Sequence, residues 1–249
     1  MPRRKRTIIT SIILVLLLGL IVTSPGLAVW RHPCLQGVVR RVKGQRTAED
    51  CVRLFGTAAE ERLRPRCTST GVSFPPRQVT LLVFKDRKRM EVHVRDDAVA
   101  WRCLMELPIL AASGSPGPKL REGDLQVPEG IYGIEALNPN SLFHVALRLN
   151  YPNRADQERA RSDGRNDLGG DIMIHGAAAS VGCLAMGDQA AEDLFILALS
   201  CGLDQMRVLI APTDPRCSQL TPGPRDPAWV VTLYKELTRE MAAFPKMTR

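Results

Sequence analysis

A mainly β domain with a few helices is what this sequence predicts, and three observations carry that expectation. Short runs of β-branched and aromatic residues recur between turn signals. Segments with a sustained helical period are few. The stretches between the runs are crowded with Gly and Pro. Apolar residues make up 45% of the 249-residue chain, enough for a sizeable core in one domain or two.

The expected elements run in chain order. Residues 79–84 (Val-Thr-Leu-Leu-Val-Phe) read as a strand, Lys85-Asp86-Arg87-Lys88 as a turn, and residues 90–94 as the returning strand. A third strand is expected over residues 101–110, and loops over 113–130. Residues 144–151 alternate polar and apolar side chains, as a half-buried strand does. Residues 171–174 form a short strand ending at His175, and 206–210 a last one. Helices are expected near residues 47–63 with Thr47 as cap, from a capping Asp188 through Leu199 to a stop at Gly202, and over residues 229–244. In residues 152–170, Arg154, Arg159, Arg161 and Arg165 balance Asp156, Glu158, Asp163 and Asp167. This stretch predicts a solvated loop or surface helix, with a lid as the functional alternative. Tyr132 and Tyr151 suit a core at least as well as a substrate groove.

Charge sets the amino terminus apart. Residues 1–66 hold 13 Lys/Arg against 4 Asp/Glu, a balance of +9, and residues 67–249 hold 21 against 22, a balance of −1. The basic excess thus lies outside the expected catalytic region and favours an anionic membrane surface over nucleic acid. Arg3-Arg4-Lys5-Arg6 precedes an apolar run over residues 8–22 that continues weakly to Trp30. Residues 1–30 are therefore expected to be an uncleaved anchor or a signal peptide, with everything after them exported. Residues 31–76 read as a basic segment and linker, 77–212 as the catalytic domain, and 213–249 as a C-terminal extension with a helix. The seven cysteines fit up to three disulfides plus one free thiol, or several buried unpaired thiols. No Cys-x-x-Cys or His-Glu-x-x-His appears, and only four His are scattered through the chain, so no metal or other cofactor is expected.

One constellation carries chemistry. His175-Gly176 is followed by Ser180-Val181-Gly182-Cys183. A strand ending in His and a short loop returning to Gly-Cys can bring a base to a thiol. Gly182 permits a tight turn before the nucleophile, and the Gly182 and Cys183 amides are candidates to hold an oxyanion. Ser180 can order the loop. The same spacing suits a structural His and Cys; the glycines and the strand context set the catalytic reading beside it. His144 can line a cleft or play a structural part, and His93 and His32 look ordinary.

The string from His175 to Cys183 resembles the signature of the L,D-transpeptidase catalytic-domain (YkuD-type) family: His-Gly, a few residues, Ser-x-Gly-Cys. Gly117-Pro118-Lys119, Glu122-Gly123-Asp124 and Pro128-Glu129-Gly130-Ile131-Tyr132 resemble the family's loop and strand before the active site. Asn138-Pro139-Asn140-Ser141, Tyr151-Pro152-Asn153 and Gly169-Gly170-Asp171 resemble one branch, the enzymes that release the abundant outer-membrane lipoprotein from peptidoglycan. The resemblance spans roughly residues 78–212. It implies a β-sandwich-like domain without a metal, with Cys183 as nucleophile, His175 as base, Gly182 in the oxyanion site, and Ser180 and Gly176 in support. It implies attack at meso-diaminopimelate in a peptidoglycan stem peptide and a thioester passed to an amine or to water. Peptidoglycan stem peptides, peptidoglycan-linked lipoprotein and the membrane are the implied partners. Ala185 stands where family members commonly have Arg two residues after the Cys, which leaves cross-linking against cleavage open.

Rival readings are a papain-like peptidase, a zinc peptidase and a tethered, non-catalytic peptidoglycan-binding module. The order His before Cys disfavours the first, and the missing ligand set the second.

Overall fold

The structure, a computed structural model, describes residues 45–97 and 100–246. Eight strands form one sheet: β1 Gln78–Phe84, β2 Arg89–Arg95, β3 Arg102–Pro108, β4 Gly130–Asn138, β5 Ala146–Leu149, β6 Met173–His175, β7 Leu184–Ala185 and β8 Met206–Ala211. Their order across the sheet is β3-β2-β1-β8-β4-β5-β6-β7. The expected mainly β architecture with a few helices is present, as a single bent sheet. The bend falls on β4, whose first half pairs with β8 and whose second half pairs with β5 after a register shift between Ile134 and Ala136. Such an irregularity bends a strand and re-aims the residues beyond it.

β1 and β8 pair in parallel at the centre. Their largely apolar sequences, interrupted by the buried Thr80 and the exposed Arg207, reflect burial on both faces over residues 81–84 and 208–211. Leu81, Val83, Val208 and Ile210 join the larger core, whereas Leu82, Phe84, Leu209 and Ala211 join a second one. Helices cover both faces. On one side, α1 (Ala48–Cys51) runs through a π turn at Val52–Gly56 into α2 (Thr57–Thr70). Thr47 caps it as expected, in a reciprocal capping box with Asp50. The helix overruns its expected end at residue 63 and stops at Gly71, which takes φ +74°. Ala59, Leu63 and Cys67 recur every four residues and are buried. Arg62 Nη2 and Nε lock α2 to Asp193 at 2.6 and 2.9 Å.

α3 (Arg154–Ser162) lies in the charged stretch and is a surface helix that buries Ala160. α4 (Asp188–Cys201) packs against α2 and the larger core. Asp188 is its first residue and not its cap; Gly187 holds that place without a side-chain bond. α5 (Val230–Met241) buries Val230, Leu233, Tyr234, Leu237 and Met241 along one stripe and closes the second core.

The compact unit runs from Arg46 to Arg249, so α1 and α2, expected within a linker, and α5, expected within an extension, fold with the sheet. The anchor or signal segment over residues 1–30 lies outside the described residues. No helix among the described residues is long and apolar enough to cross a membrane. The six described cysteines, Cys51, Cys67, Cys103, Cys183, Cys201 and Cys217, are all free thiols. The three-disulfide framework is therefore not realised among them; burial in apolar cores accounts for Cys51 and Cys67 instead.

Candidate active site

His175 ends β6, where β5 and β7 flank it. Its register partners are Ala146 and Ala185, so two methyl groups leave room for the imidazole on that face. Phe143 stacks on the ring, with centroids 4.7 Å apart. His175 is only 2% exposed. Its Nδ1 lies 2.7 Å from the Gly176 carbonyl oxygen. A carbonyl can only accept, so Nδ1 carries the proton of the neutral ring and Nε2 presents the basic lone pair. Burial pushes the His175 pKa below the usual histidine value, partly opposed by that carbonyl.

Gly176 is fixed by space. A Cβ there would meet the Phe143 carbonyl oxygen and Asp188 Oδ1 at 2.7 Å each. Asp188 Oδ1 also accepts the Ala177 amide at 2.7 Å, which ties the His-Gly turn to the start of α4.

Cys183 lies one residue before β7, two positions from the register partner of His175, and is half-buried. Gly182, at φ +79°, makes the turn that delivers it. Ser180 Oγ accepts the Cys183 amide at 3.0 Å and donates to the Cys183 carbonyl at 2.5 Å, so it braces the turn from within. The Cys183 thiol donates to the Asp171 carbonyl at 3.5 Å. Burial raises its pKa above the ordinary thiol value; the Met173 amide and Lys119 pull the other way. Lys119 is buried and held by Asp124 at 2.6 Å. Both shifts favour the neutral forms, a thiol at Cys183 and an imidazole at His175.

Residues 110–113 form a wall in a stretch where the sequence predicts the end of a strand and loops. Ala111 bridges antiparallel to Ala185, and the Leu110 amide donates to the Ala185 carbonyl at 2.8 Å. Ser113 Oγ accepts the Gly182 amide at 2.6 Å. Both amides expected to hold an oxyanion are therefore satisfied by serine hydroxyls here. Among the described residues five non-glycine positions have positive φ. Four of them surround the two turns: the Asp171 carbonyl accepts the Cys183 thiol, the Ala177 amide donates to Asp188, the Leu125 carbonyl accepts the Ser113 hydroxyl, and His144 adjoins Gly176. Such backbone strain tends to gather at functional sites.

Other residues singled out from the sequence lie elsewhere. His144 Nε2 pairs with Glu192 at 2.8 Å and its ring packs on Phe55, a structural role. Tyr132 and Tyr151 meet edge to face in the core. Glu129 of the Pro-Glu-Gly motif is buried and accepts the Gly117 amide at 2.7 Å and the Tyr234 hydroxyl at 2.8 Å, beside Lys85 at 3.1 Å. The ligand atoms of Glu91, His93 and Cys103 lie within 4.8 Å of one another. Arg89 and Arg216 already sit on Glu91, at 3.0 and 2.8 Å, and two guanidiniums there oppose a cation.

A bent sheet with a His-Gly turn and a Gly-Cys turn on neighbouring strands defines a cysteine-containing domain of a known type. The model of the YkuD family, the L,D-transpeptidase catalytic domain, matches residues 78–210, and the chain belongs to that family. It is 32% identical over 119 residues to "Putative L,D-transpeptidase YafK" of Escherichia coli K12 and, equally, of Escherichia coli O157:H7. That match covers 47% of this chain and 46% of the relative, so the chain spans about half the length of the curated relatives it matches. Among solved structures, the helical cell shape determining protein Pgp2 from Campylobacter jejuni aligns with TM-score 0.45 and 24% identity, over 55% of this chain and 48% of that one. Bd1075 of Bdellovibrio bacteriovorus aligns with TM-score 0.41 and 18% identity, over 68% and 56%.

Proposed function

We propose that this protein is a cysteine acyltransferase acting on peptidoglycan stem peptides at meso-diaminopimelate. The observation that carries the reading is the placement of Cys183 at the end of a Gly182 turn, beside a strand whose His175 has its Nδ1 proton fixed on Gly176. Family membership supports the substrate class. In the reaction, Cys183 Sγ attacks the stem-peptide carbonyl as His175 Nε2 takes the thiol proton. The C–N bond then breaks, the amine leaves with that proton, and a thioester remains. An amine or water, deprotonated by the same imidazole, releases the acyl group.

Release to water is the favoured outcome. Transfer requires an acceptor peptide held with its amine oriented, which is worth a large effective concentration. Ala185 offers no guanidinium to anchor such a peptide. The stretch after residue 30 is exported, and residues 7–30 anchor it to the membrane or are removed. A reporter fused after Arg249 that works only in an exported compartment will be active; activity of a strictly cytoplasmic reporter would refute this.

The test of function is to incubate the protein with sacculi carrying attached lipoprotein, together with free stem peptides, and to identify products by mass spectrometry. Free lipoprotein is expected. New cross-links between diaminopimelate residues as the main product would overturn hydrolysis. Binding to sacculi without any product would leave the non-catalytic wall-binding module as the better reading, and products unchanged by Cys183→Ala would remove Cys183 as nucleophile.

A further inference from the structure

We propose that Ser113 is a positioning residue for acyl transfer, its hydroxyl holding the Gly182 amide in the orientation that receives the oxyanion. The proposal rests on Cys183 being the nucleophile.

The geometry begins at the sheet edge. Ala111 faces Ala185 in an antiparallel bridge, with the Ala185 amide donating to the Ala111 carbonyl at 2.9 Å. Carried two residues further, that register sets Ser113 opposite Cys183. The ladder cannot continue there, because Gly182 turns away at φ +79°. A Gly182 amide left unpaired in this part-buried place would cost about 1–3 kcal/mol. The Ser113 side chain takes over the role of the missing backbone acceptor, at 2.6 Å.

The hydroxyl is itself clamped. It donates its one hydrogen to the Leu125 carbonyl at 2.7 Å, so toward Gly182 it can act only as acceptor. Leu125 sits in the left-handed region at φ +59°, a conformation leucine rarely adopts, with its side chain 51% exposed. Asp124 and Gln126 hold the same loop: Asp124 Oδ1 accepts the Gln126 amide at 3.0 Å, and the Gln126 side chain accepts the Ser115 amide at 3.1 Å. The two serines differ in kind. Ser180 lies three residues from Cys183 and moves with the turn, whereas Ser113 reaches in from 69 residues away and fixes the turn against the sheet.

The chemistry needs such a placeholder. When Cys183 attacks, the C–S bond forms, the carbonyl π pair moves onto oxygen, and the thiol proton passes to His175. The new anion requires donors already aimed at it. A hydrogen bond to a charged oxygen is roughly twice as strong as one to a neutral hydroxyl. The Gly182 amide therefore changes partner as charge develops, without its peptide plane turning.

Two reactions at one sulfur test this in the full chain. p-Nitrophenyl acetate acylates through an oxyanion; iodoacetamide alkylates by displacement at a saturated carbon and makes none. Each rate is taken as the part lost in Cys183→Ala. Ser113→Ala should slow acylation about 10- to 100-fold and leave alkylation unchanged. Ser113→Thr, which keeps the hydroxyl, should acylate faster than the equally shaped Ser113→Val. Equal slowing of both reactions, equal Thr and Val rates, or unchanged acylation in Ser113→Ala would overturn the proposal. Ester turnover undiminished in Cys183→Ala would instead remove the nucleophile assignment on which it stands.

Discussion

His93 and Cys103 face each other across β2 and β3, near one edge of the sheet, and His175 and Cys183 stand near the other, at β6 and the turn before β7. The residue types are the same, but the surroundings are opposite. His93 is fully buried, and its Nε2 is held by Glu91 at 2.9 Å. Arg216 and Arg89 complete a closed ionic cluster around that carboxylate. Burial pushes the Cys103 thiol up to about 11. At the other edge the carbonyl of Gly176 takes the Nδ1 proton, no carboxylate sits on that nitrogen, and the thiol stands at a glycine turn. A histidine beside a cysteine is thus not a reactive pair in itself. What separates the two is the partner of the ring, a carboxylate on Nε2 at one edge and a backbone carbonyl on Nδ1 at the other.

The comparison can be broken at its strongest point by deleting each thiol. Cys183→Ala should lower product formation from sacculi on the order of 10³-fold or more, while Cys103→Ala leaves it unchanged. Loss of activity in the second variant, with its fold intact by circular dichroism, would erase the distinction. The histidines come next. His175→Gln should cost about 10²- to 10⁴-fold in rate with little change in melting temperature. His93→Gln should do the reverse.

Removing the cation at the buried edge should act on stability alone. The Arg216 side chain is 4% exposed and bonds both Glu91 and Asp214, so Arg216→Met leaves two buried carboxylates with Arg89 as their one guanidinium. The expected cost is about 3–5 kcal/mol in urea unfolding, with kcat of the folded protein retained. A smaller loss would show that water enters this cluster.

The pH dependence sharpens the other edge. Burial disfavours the imidazolium of His175, so its pKa lies below 6.5 and the neutral, proton-accepting ring persists at pH 6.5. The acid limb of kcat/KM should fall below that pH, about tenfold per unit. Cys183, raised above 9.0, gives little thiolate by itself at neutral pH. Its alkylation in His175→Gln should climb only on the alkaline side. An acid limb centred at or above 6.5 would contradict the buried, neutral base.

Much of the fold and site is legible in the sequence because it is local. The run at residues 79–84, the Lys-Asp-Arg-Lys turn and the return strand are nearest neighbours, and pattern alone finds them. His175 and Cys183 are separated by eight residues, within reach of one loop. β4 is only hinted at, because Gly130 falls in the Gly/Pro-rich stretch and residues 131–138 lack a clean alternation; pairing with β8 and β5 makes them strand. β7 is two residues long and exists only through β6 and the Ala111 bridge. Ser113 belongs to the same class: its role is set by a contact across 69 residues, which a Gly/Pro-rich stretch does nothing to announce. Asp188 looks like a cap because caps are short-range signals; its carboxylate is spent on the Ala177 amide.

The Glu129 carboxylate has a consequence for a chain still being made. It receives the Gly117 amide from the loop that leads to the active site and the Tyr234 hydroxyl from α5. A polypeptide that has emerged only as far as residue 225 already contains His175 and Cys183. It still leaves Leu82, Phe84, Leu209 and Ala211 without the stripe that covers them, and Glu129 one partner short. α5 is therefore the element that completes this anchor and closes the second core.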